Sequence, residues 1–368
     1  MRHVVEVFDP DGLFWHHAQR GRGDDVSMLR WAAAAVQSRA HSSRGGRGTA
    51  LVPLADAFNH SPTSPNVELS EGETCFQVHA IRDVSPGEEL FLRYGPFSNA
   101  ELLFNAGFTC PSNPADCVLV SCKELAEVAH RMRGVAAAGS GGGSASSAAV
   151  AEAEVERLEK RCRAVFAGLP APRLGASAPL FGGAVPTEVV TAIAALLHDD
   201  EEWARVLAEA GPHCAVDRWG DDGDLVGKAL RTVLLESWTA STEAAGQLRS
   251  RVLGVLSELV DRTLRPRYRG PSLEEAASQC AAEEDKEVRL HEAHRFSPPS
   301  GRPDADEVRR QRDLNILRIH VGERKVIERL SAMVKARLGA LSGAEVGDRQ
   351  SEEAQDSAAK RPRHTESA

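Results

Sequence analysis

Two apolar runs that each end in small polar residues constrain the fold of this chain more than any other feature. The first is Leu51-Val-Pro-Leu-Ala-Asp-Ala-Phe-Asn-His-Ser61, and the second runs from Glu89 to Phe108 with Tyr94-Gly95 inside it. Short apolar runs of this kind are typical of buried strands. A glycine directly after a tyrosine lets the chain turn close to a ligand. The pattern therefore predicts two short strands whose ends present asparagine, histidine and tyrosine.

The composition is that of an ordinary globular protein. With 368 residues the chain is long enough for two domains. A net charge of −9 argues against a broad nucleic-acid-binding face. Its apolar runs fall short of the roughly 18 residues that a membrane span needs, and its first residues lack a secretory signal. We therefore expect an intracellular protein, cytoplasmic or nuclear, with a plastid location left open, and neither a nucleic acid nor a membrane as partner.

The cysteines favour a reducing compartment rather than a metal site. Seven of them, an odd number, are scattered along the chain. Cys110, Cys117 and Cys122 are close in sequence, but no Cys-x-x-Cys or Cys/His spacing typical of zinc accompanies them. We interpret these three as buried thiols and expect no metal.

The first hundred or so residues read as β-rich with helical insertions. The apolar spacing of residues 26–38 predicts a helix. Strands are predicted at 51–54, 75–80 and 89–94. Ser98-Asn-Ala-Glu101 has the form of a capping box that begins a second helix, and Gly107 is expected to end it.

The chain after Phe108 reads as helical. Amphipathic segments are predicted near 151–167, 186–210, 224–265 and 272–294, and a last helix contains an apolar face from Leu314 to Leu338. A Gly/Ser-rich stretch at 134–150 is expected to be a flexible insertion. Residues 343–368 are polar and are expected to be disordered. Lys360-Arg-Pro-Arg363 within them fits a nuclear address, but a solvated tail is the favoured reading.

Together, the Asn-His and Tyr-Gly motifs resemble the second half of a SET methyltransferase domain. Their order and spacing resemble the subgroup that contains the Rubisco large-subunit lysine methyltransferase and the actin-histidine methyltransferase. This resemblance implies an α+β fold, with a partial β-rich SET core at residues 1–112. An all-α substrate-binding domain would follow at 113–342, interrupted by the 134–150 insertion and followed by the 343–368 tail. Residues 312–327 are similar to the closing helices of that domain.

The resemblance also implies a cofactor and the residues that hold it. The cofactor is S-adenosyl-L-methionine, and Tyr94 takes the position of the catalytic tyrosine. Asn59 and His60 match the cofactor-binding Asn-His motif, Arg39 matches an arginine that pairs with the cofactor carboxylate, and Phe108 matches an aromatic ring stacked on adenine. Structural alternatives remain open for each of these residues: a tyrosine at a sheet edge, a structural histidine, a core phenylalanine. Asp56 is expected to be a structural hydrogen-bond partner.

Two further residues bear on the substrate. His41 stands where the lysine enzymes carry phenylalanine and the histidine enzyme carries asparagine, so it matches neither. Phe97 stands where the histidine enzyme carries arginine, which favours a lysine acceptor. The resemblance therefore implies an enzyme, a protein-lysine N-methyltransferase, with histidine as the second choice of acceptor. Its protein substrate would dock on the helical domain of a monomer. A non-catalytic, SET-derived protein-binding scaffold is the alternative.

The beginning of the chain departs from the family pattern. SET domains open with a Gly-x-Gly cofactor motif well ahead of the first helix, whereas only about 26 residues precede that helix here. Arg20-Gly-Arg-Gly23 matches superficially and is interpreted as a loop. We therefore expect the amino-terminal part of the SET domain to be missing from this chain, and the chain to bind the cofactor weakly.

Overall fold

The chain divides into two units, and one helical hairpin is shared between them. The structure, a computed structural model, describes residues 25–42, 48–72, 75–138, 148–167, 177–183, 185–211, 223–294 and 305–359. The first unit comprises the described residues up to Asp116 together with Cys280–Ile319, and the second comprises Cys117–Gln279 with the described residues from His320. The predicted division at 112/113 therefore differs from the observed one, because residues 280–319 lie with the first unit.

The first unit alternates short strands with helices. In chain order its elements are α1 (Asp25–Arg39), β1 (Ala40–Ser42), β2 (Thr49–Leu51), a 3₁₀ turn (Ala55–Ala57), β3 (Asn59–His60), β4 (Val67–Glu71), β5 (Phe76–Ala80), β6 (Phe91–Leu92) and α2 (Asn99–Ala106). Strands β1 and β2 form an antiparallel pair. The predicted helix at 26–38 is thus confirmed as α1.

A four-stranded sheet brings the two motifs together. Its strand order is β3-β6-β4-β5, with β6 parallel to both β3 and β4 and β4 antiparallel to β5. Strands β3 and β4 follow each other in sequence but lie on opposite sides of β6. The segment 61–66 therefore carries the chain across the end of β6, and the Asn-His strand lies directly beside the strand that leads to Tyr94.

The residues that cap α2 are those that the sequence predicts, whereas two strands are shorter than predicted. Ser98 and Glu101 form the reciprocal capping box of α2, and Gly107 ends the helix with φ 83°. The predicted strand 51–54 ends at Leu51, because Pro53 cannot donate to a ladder and Leu54 turns with φ 72°. The predicted strand 89–94 is regular only at Phe91–Leu92, because side chains take over its outer hydrogen bonds, as described below.

The second unit is mainly helical. Its elements are β7 (Val118–Ser121), α3 (Cys122–Ala138), α4 (Ala148–Phe166), β8 (Ser177–Leu180), α5 (Thr187–Leu197), α6 (Asp200–Ala210), α7 (Gly223–Thr239), α8 (Glu243–Leu259), a π turn (Val260–Leu264) and a 3₁₀ turn (Arg265–Arg267). Helices α9 (Leu273–His294) and α10 (Ala305–Ala359) run through both units. Strands β7 and β8 pair antiparallel, so this unit is not purely α. Its core surrounds α5, in which every residue from Val189 to Leu197 is buried.

Two segments that the sequence predicts to be irregular are helical where the structure describes them. The insertion predicted at 134–150 is helical up to Ala138 and again from Ala148. The tail predicted from 343 continues α10 to Ala359, because alanine, glutamate and glutamine are strong helix formers and no proline interrupts them. The Lys360–Arg363 motif lies outside the described residues.

The described residues contain no helix that is both long and apolar enough to cross a bilayer. Within the same residues, no cluster of three or more histidine, cysteine or acidic side chains has a metal-binding arrangement.

Candidate functional site

The site is centred on Tyr94, whose hydroxyl is fixed by the neighbouring strand. Tyr94 Oη donates to the carbonyl oxygen of Phe58 at 2.7 Å. Phe58 immediately precedes the Asn-His motif of β3, so the tyrosine side chain reaches across the strand pair that the two motifs form. Burial raises the pKa of Tyr94 above its ordinary value. The phenol therefore stays protonated at neutral pH, when its hydroxyl is a hydrogen-bond donor.

His60 holds the main chain of Tyr94. The imidazole Nδ1 accepts a hydrogen bond from the backbone N–H of Tyr94 at 3.1 Å, and His60 is only 9% exposed. Its other ring nitrogen, Nε2, is buried and has no partner among the described residues. Burial lowers the pKa of His60 below its ordinary value, so the ring is neutral at physiological pH.

Three rings pack together at this point. The centroid of the His60 ring lies 5.1 Å from that of Tyr94 and 6.1 Å from that of Phe108. Tyr94 and Phe108 meet edge to face at 6.2 Å, a favourable aromatic geometry. Phe108 follows the C-cap glycine of α2, so the correctly predicted end of that helix brings its ring to the cluster. The structure therefore joins three of the residues singled out in the sequence.

Arg39 and Asp56 lie beside this ring cluster. The Arg39 guanidinium donates to the main-chain carbonyl of Asp56 at 2.8 Å. Both charged groups act on Tyr94: Arg39 lowers its pKa and Asp56 raises it, by less than burial does. Asp56 therefore has a structural contact through its main chain, as expected, and an electrostatic influence on the tyrosine that the sequence did not indicate.

Asn59 is less closely involved. It is exposed, and its side-chain amide donates to Glu89 Oε1 at 2.7 Å. The contact ties β3 to the segment that enters β6. Its assignment to cofactor binding stays a prediction.

His41 and Phe97, the residues expected to meet the substrate, occupy different positions. His41 pairs with Ala50 across β1 and β2, and its buried Nε2 has no partner within the described part of the chain. Burial lowers its pKa, while Asp56 opposes that effect. Phe97 lies over Gly95 so closely that a Cβ there would come within 2.8 Å of its ring. Their roles toward a substrate stay predictions.

One residue of the site was missed entirely. Asn66 is fully buried, and its Oδ1 accepts from the N–H of Phe91 at 2.7 Å. Its Nδ2 donates to the carbonyl of Glu89 at 2.8 Å and to Glu88 Oε1 at 3.2 Å. The only sequence signal was an asparagine after Pro65 at the start of an alternating strand, which normally indicates a turn.

Comparison with known proteins supports the resemblance of the Asn-His and Tyr-Gly motifs to a SET domain. Residues 15–95 match the SET domain family, which confirms the resemblance found in the motifs. The ribosomal lysine N-methyltransferase set10 of Schizosaccharomyces pombe is 34% identical over 108 residues, 27% of this chain and 20% of that protein. SET domain-containing protein 4 of Mus musculus is 33% identical over 101 residues, 25% of this chain and 23% of that protein. The actin-histidine N-methyltransferase of Canis lupus familiaris is 36% identical over 99 residues, 25% of this chain and 16% of that protein.

The matches cover limited parts of the relatives. The aligned segment spans about a fifth of the length of these three proteins. Among solved structures, Rubisco LSMT bound to AdoMet is similar with a TM-score of 0.41 and 16% identity, over 84% of this chain and 55% of that one.

Proposed function

We propose that this chain catalyses S-adenosyl-L-methionine-dependent methyl transfer to a lysine side chain of a protein, with histidine as the less favoured acceptor. The observation that carries the proposal is the contact of Tyr94 with His60, Phe108 and the Phe58 carbonyl. These residues lie in or just after the segment that matches the SET family. Relatives of that segment are named as lysine and histidine N-methyltransferases, which supports the reaction class.

The residues around Tyr94 fit the cofactor chemically. Nε2 of both His41 and His60 is buried without a partner among the described residues, and such groups cost free energy unless something pairs with them. Arg39 uses one nitrogen on the Asp56 carbonyl, and its remaining N–H groups suit a carboxylate. Phe108 offers a ring face to adenine. When bound, the cofactor supplies a methyl group on a sulfonium for in-line displacement.

The protein side chains align and dry the reacting groups rather than exchange protons with them. Tyr94 stays protonated, so it adds no anion next to a sulfonium. His60 stays neutral, so it adds no cation there. The three packed rings keep water from one side of the site, which strengthens the polar contacts inside it. Small misplacements of aligned groups are costly in rate, so the fixed Tyr94 hydroxyl supports a positioning role.

Lysine is favoured because Phe97 presents an apolar ring against Gly95, at the end of the Tyr94 strand. An apolar wall suits the neutral amine that must attack, because a charged ammonium is disfavoured there. A peptide offering both lysine and histidine, analysed by mass spectrometry after reaction, distinguishes the two acceptors.

A non-catalytic protein-binding scaffold is the second candidate. It is favoured by the exposure of Arg39 and Asn59 and by the commitment of the Asn59 amide to Glu89. Residues of a working cofactor pocket are more often enclosed. For both candidates we propose an intracellular monomer, cytoplasmic or nuclear with a plastid location left open. It would contact a protein through its helical unit and bind neither nucleic acid nor membrane.

Isothermal titration of the full chain with S-adenosylhomocysteine tests the enzyme against the scaffold. Saturable binding that weakens strongly in Arg39→Ala supports a cofactor site. Glu152→Ala, which alters an exposed glutamate on α4, is the matched control and should bind like the unaltered chain. The absence of binding in the unaltered chain, together with retained binding of a protein partner, would favour the scaffold.

A further inference from the structure

Strand β6 has an unusual division of its hydrogen bonds. Its carbonyl groups accept from main-chain N–H groups: Leu92 accepts from Ser61 at 3.1 Å and Phe91 accepts from Asn66 at 3.0 Å. Two N–H groups on the same stretch donate to side chains instead. Phe91 N–H donates to Asn66 Oδ1 and Tyr94 N–H donates to His60 Nδ1. Two side chains thus replace the acceptors that a longer strand would supply.

Both side chains are buried and have their orientation fixed by other contacts. Asn66 is 0% exposed, and its amide nitrogen is held by the Glu89 carbonyl, so its oxygen must face Phe91. His60 is 9% exposed. Because Nδ1 accepts from a main-chain N–H, the neutral ring must carry its proton on Nε2. The tautomer of His60 follows from this contact rather than from a ligand.

Loss of either acceptor would leave a half-buried main-chain N–H without its partner. That arrangement is costly, because the donor has lost its water and gained nothing. The strand would relieve it by moving toward solvent or toward a new acceptor. Tyr94 lies at the end of the strand beyond the last regular pair, so its hydroxyl would move most relative to the Phe58 carbonyl.

We propose that His60 and Asn66 are positioning residues that set the location of Tyr94 by serving as side-chain partners of β6. His60 acts on the Tyr94 main chain through Nδ1, and Asn66 acts on the main chain of Phe91, three residues earlier. The kinetic consequence rests on the proposed methyltransferase function. The structural part, which is the tautomer and the protection of the Tyr94 amide, does not depend on it.

Selective labelling makes the structural part measurable in the full chain. The sequence contains only two tyrosines, so ¹⁵N-tyrosine labelling gives two amide signals. Tyr94 N–H is held by His60, whereas Tyr268 N–H is held by the main-chain carbonyl of Arg265 in the second unit and serves as an internal control. ¹⁵N-histidine labelling of the unaltered protein reports which ring nitrogen of His60 carries the proton.

Two substitutions at one position separate the acceptor from the ring. His60→Phe keeps an aromatic ring without an acceptor, whereas His60→Asn places Oδ1 at the same bond distance from the main chain as Nδ1. We expect His60→Phe to speed hydrogen exchange of the Tyr94 amide and to lower kcat by roughly tenfold to a hundredfold. His60→Asn should restore much of the amide protection and of kcat, and the Tyr268 amide should exchange as before in each variant. The Kd for S-adenosylhomocysteine should change by a similar factor in the two variants, because both lack Nε2.

The outcomes separate this proposal from the proposed function. A proton on Nδ1 of His60 in the unaltered chain overturns it without any variant being made. A Tyr94 amide that exchanges equally in all variants overturns it too, as does a lost cofactor affinity in His60→Phe with kcat unchanged. Suppose that the Tyr94 amide responds as expected but that neither the unaltered chain nor any variant methylates a protein. The positioning role then stands and the methyltransferase proposal fails.

Discussion

Tyr94 and Phe58, which are 36 residues apart in the sequence, are joined by a 2.7 Å hydrogen bond between a phenol hydroxyl and a main-chain carbonyl. The bond spans the two parallel strands β3 and β6, so the Asn-His and Tyr-Gly motifs form one structural unit. Burial keeps that phenol protonated by raising its pKa. A protonated, fixed hydroxyl is therefore available at the proposed site over the whole physiological pH range.

Tyr94→Phe tests this hydroxyl. The phenylalanine keeps the ring contacts with His60 and Phe108 but removes the donor to Phe58. We expect kcat to fall to near the background rate while affinity for S-adenosylhomocysteine stays within a few-fold, because the hydroxyl acts on the transition state. Steady-state kinetics and titration calorimetry measure the two quantities. Retention of most of the activity would remove Tyr94 from the catalytic role.

Arg318 should stabilise the first unit by pairing α9 with α10. Its side chain is 6% exposed and bonds Glu284 at 2.9 Å and Glu287 at 2.5 Å. Arg318→Ala should lower the free energy of unfolding by roughly 2–3 kcal/mol. This is at or below the lower end of the cost of breaking a fully buried ion pair, because both carboxylates keep some contact with water. Arg289→Ala removes an exposed pair with Asp285 and should cost less than about 0.5 kcal/mol. Equal urea midpoints for the two variants would contradict this expectation.

Gly227 lies where α7 passes close to the end of α4 in the second unit. A Cβ at this position would lie 1.9 Å from the carbonyl oxygen of Ala167, a main-chain atom that can move away only if the backbone shifts. Gly227→Ala should destabilise the unit by at least about 1–3 kcal/mol through overpacking, despite a gain in helix propensity. Gly339→Ala in α10 meets nothing within 4 Å and should stabilise by up to about 1 kcal/mol. Thermal or urea unfolding that showed both variants shifted in the same direction would disprove the argument.

Glu88 should make stability depend on pH in acid. Hydrogen bonds from Arg82, Ser85 and Asn66 lower the pKa of its carboxyl to about 2 from 4.5. Since the folded-state pKa is depressed, the stabilisation is fully present above the unfolded pKa near 4.5 and is lost as the pH falls toward 2. The Tm difference between the unaltered chain and Glu88→Gln should therefore be largest near pH 5 and shrink toward pH 2. A difference that stays constant over this range would refute the role of Glu88.

The parts of the fold that depend on neighbours in sequence were the predictable ones. The capping box of Ser98 and Glu101 and the left-handed Gly107 need only a few residues on either side, and the sequence placed all three correctly. Helix α1 was likewise found within a residue at each end. The length of β6 could not be predicted from the local sequence. Its ends are held by Asn66, 25 residues before Phe91, and by His60, 34 residues before Tyr94.

The site was predictable only in part for the same reason. Resemblance pointed to His60, Tyr94 and Phe108, which do meet. Nothing in the sequence indicated that Asn66 supports them, since its partners, the main chain of Glu89 and Phe91 and the carboxylate of Glu88, are more than 20 residues away. Nor did any local pattern predict that parts of α9 and α10, within Cys280–Ile319, lie with the first unit. That arrangement depends on Thr109, whose hydroxyl donates to Asn315 across 206 residues and whose carbonyl accepts from Arg318.

The shared hairpin has a consequence for synthesis on the ribosome. At roughly 5–20 residues per second, the 206 residues between Thr109 and Asn315 take on the order of 10–40 s to emerge. During this interval neither unit can complete its packing, because both need the last helix: Asn315 lies with the first unit, whereas Ile327 and Leu330 belong to the core that the second unit forms. We therefore expect both units to reach their final stability only after α10 has been synthesised.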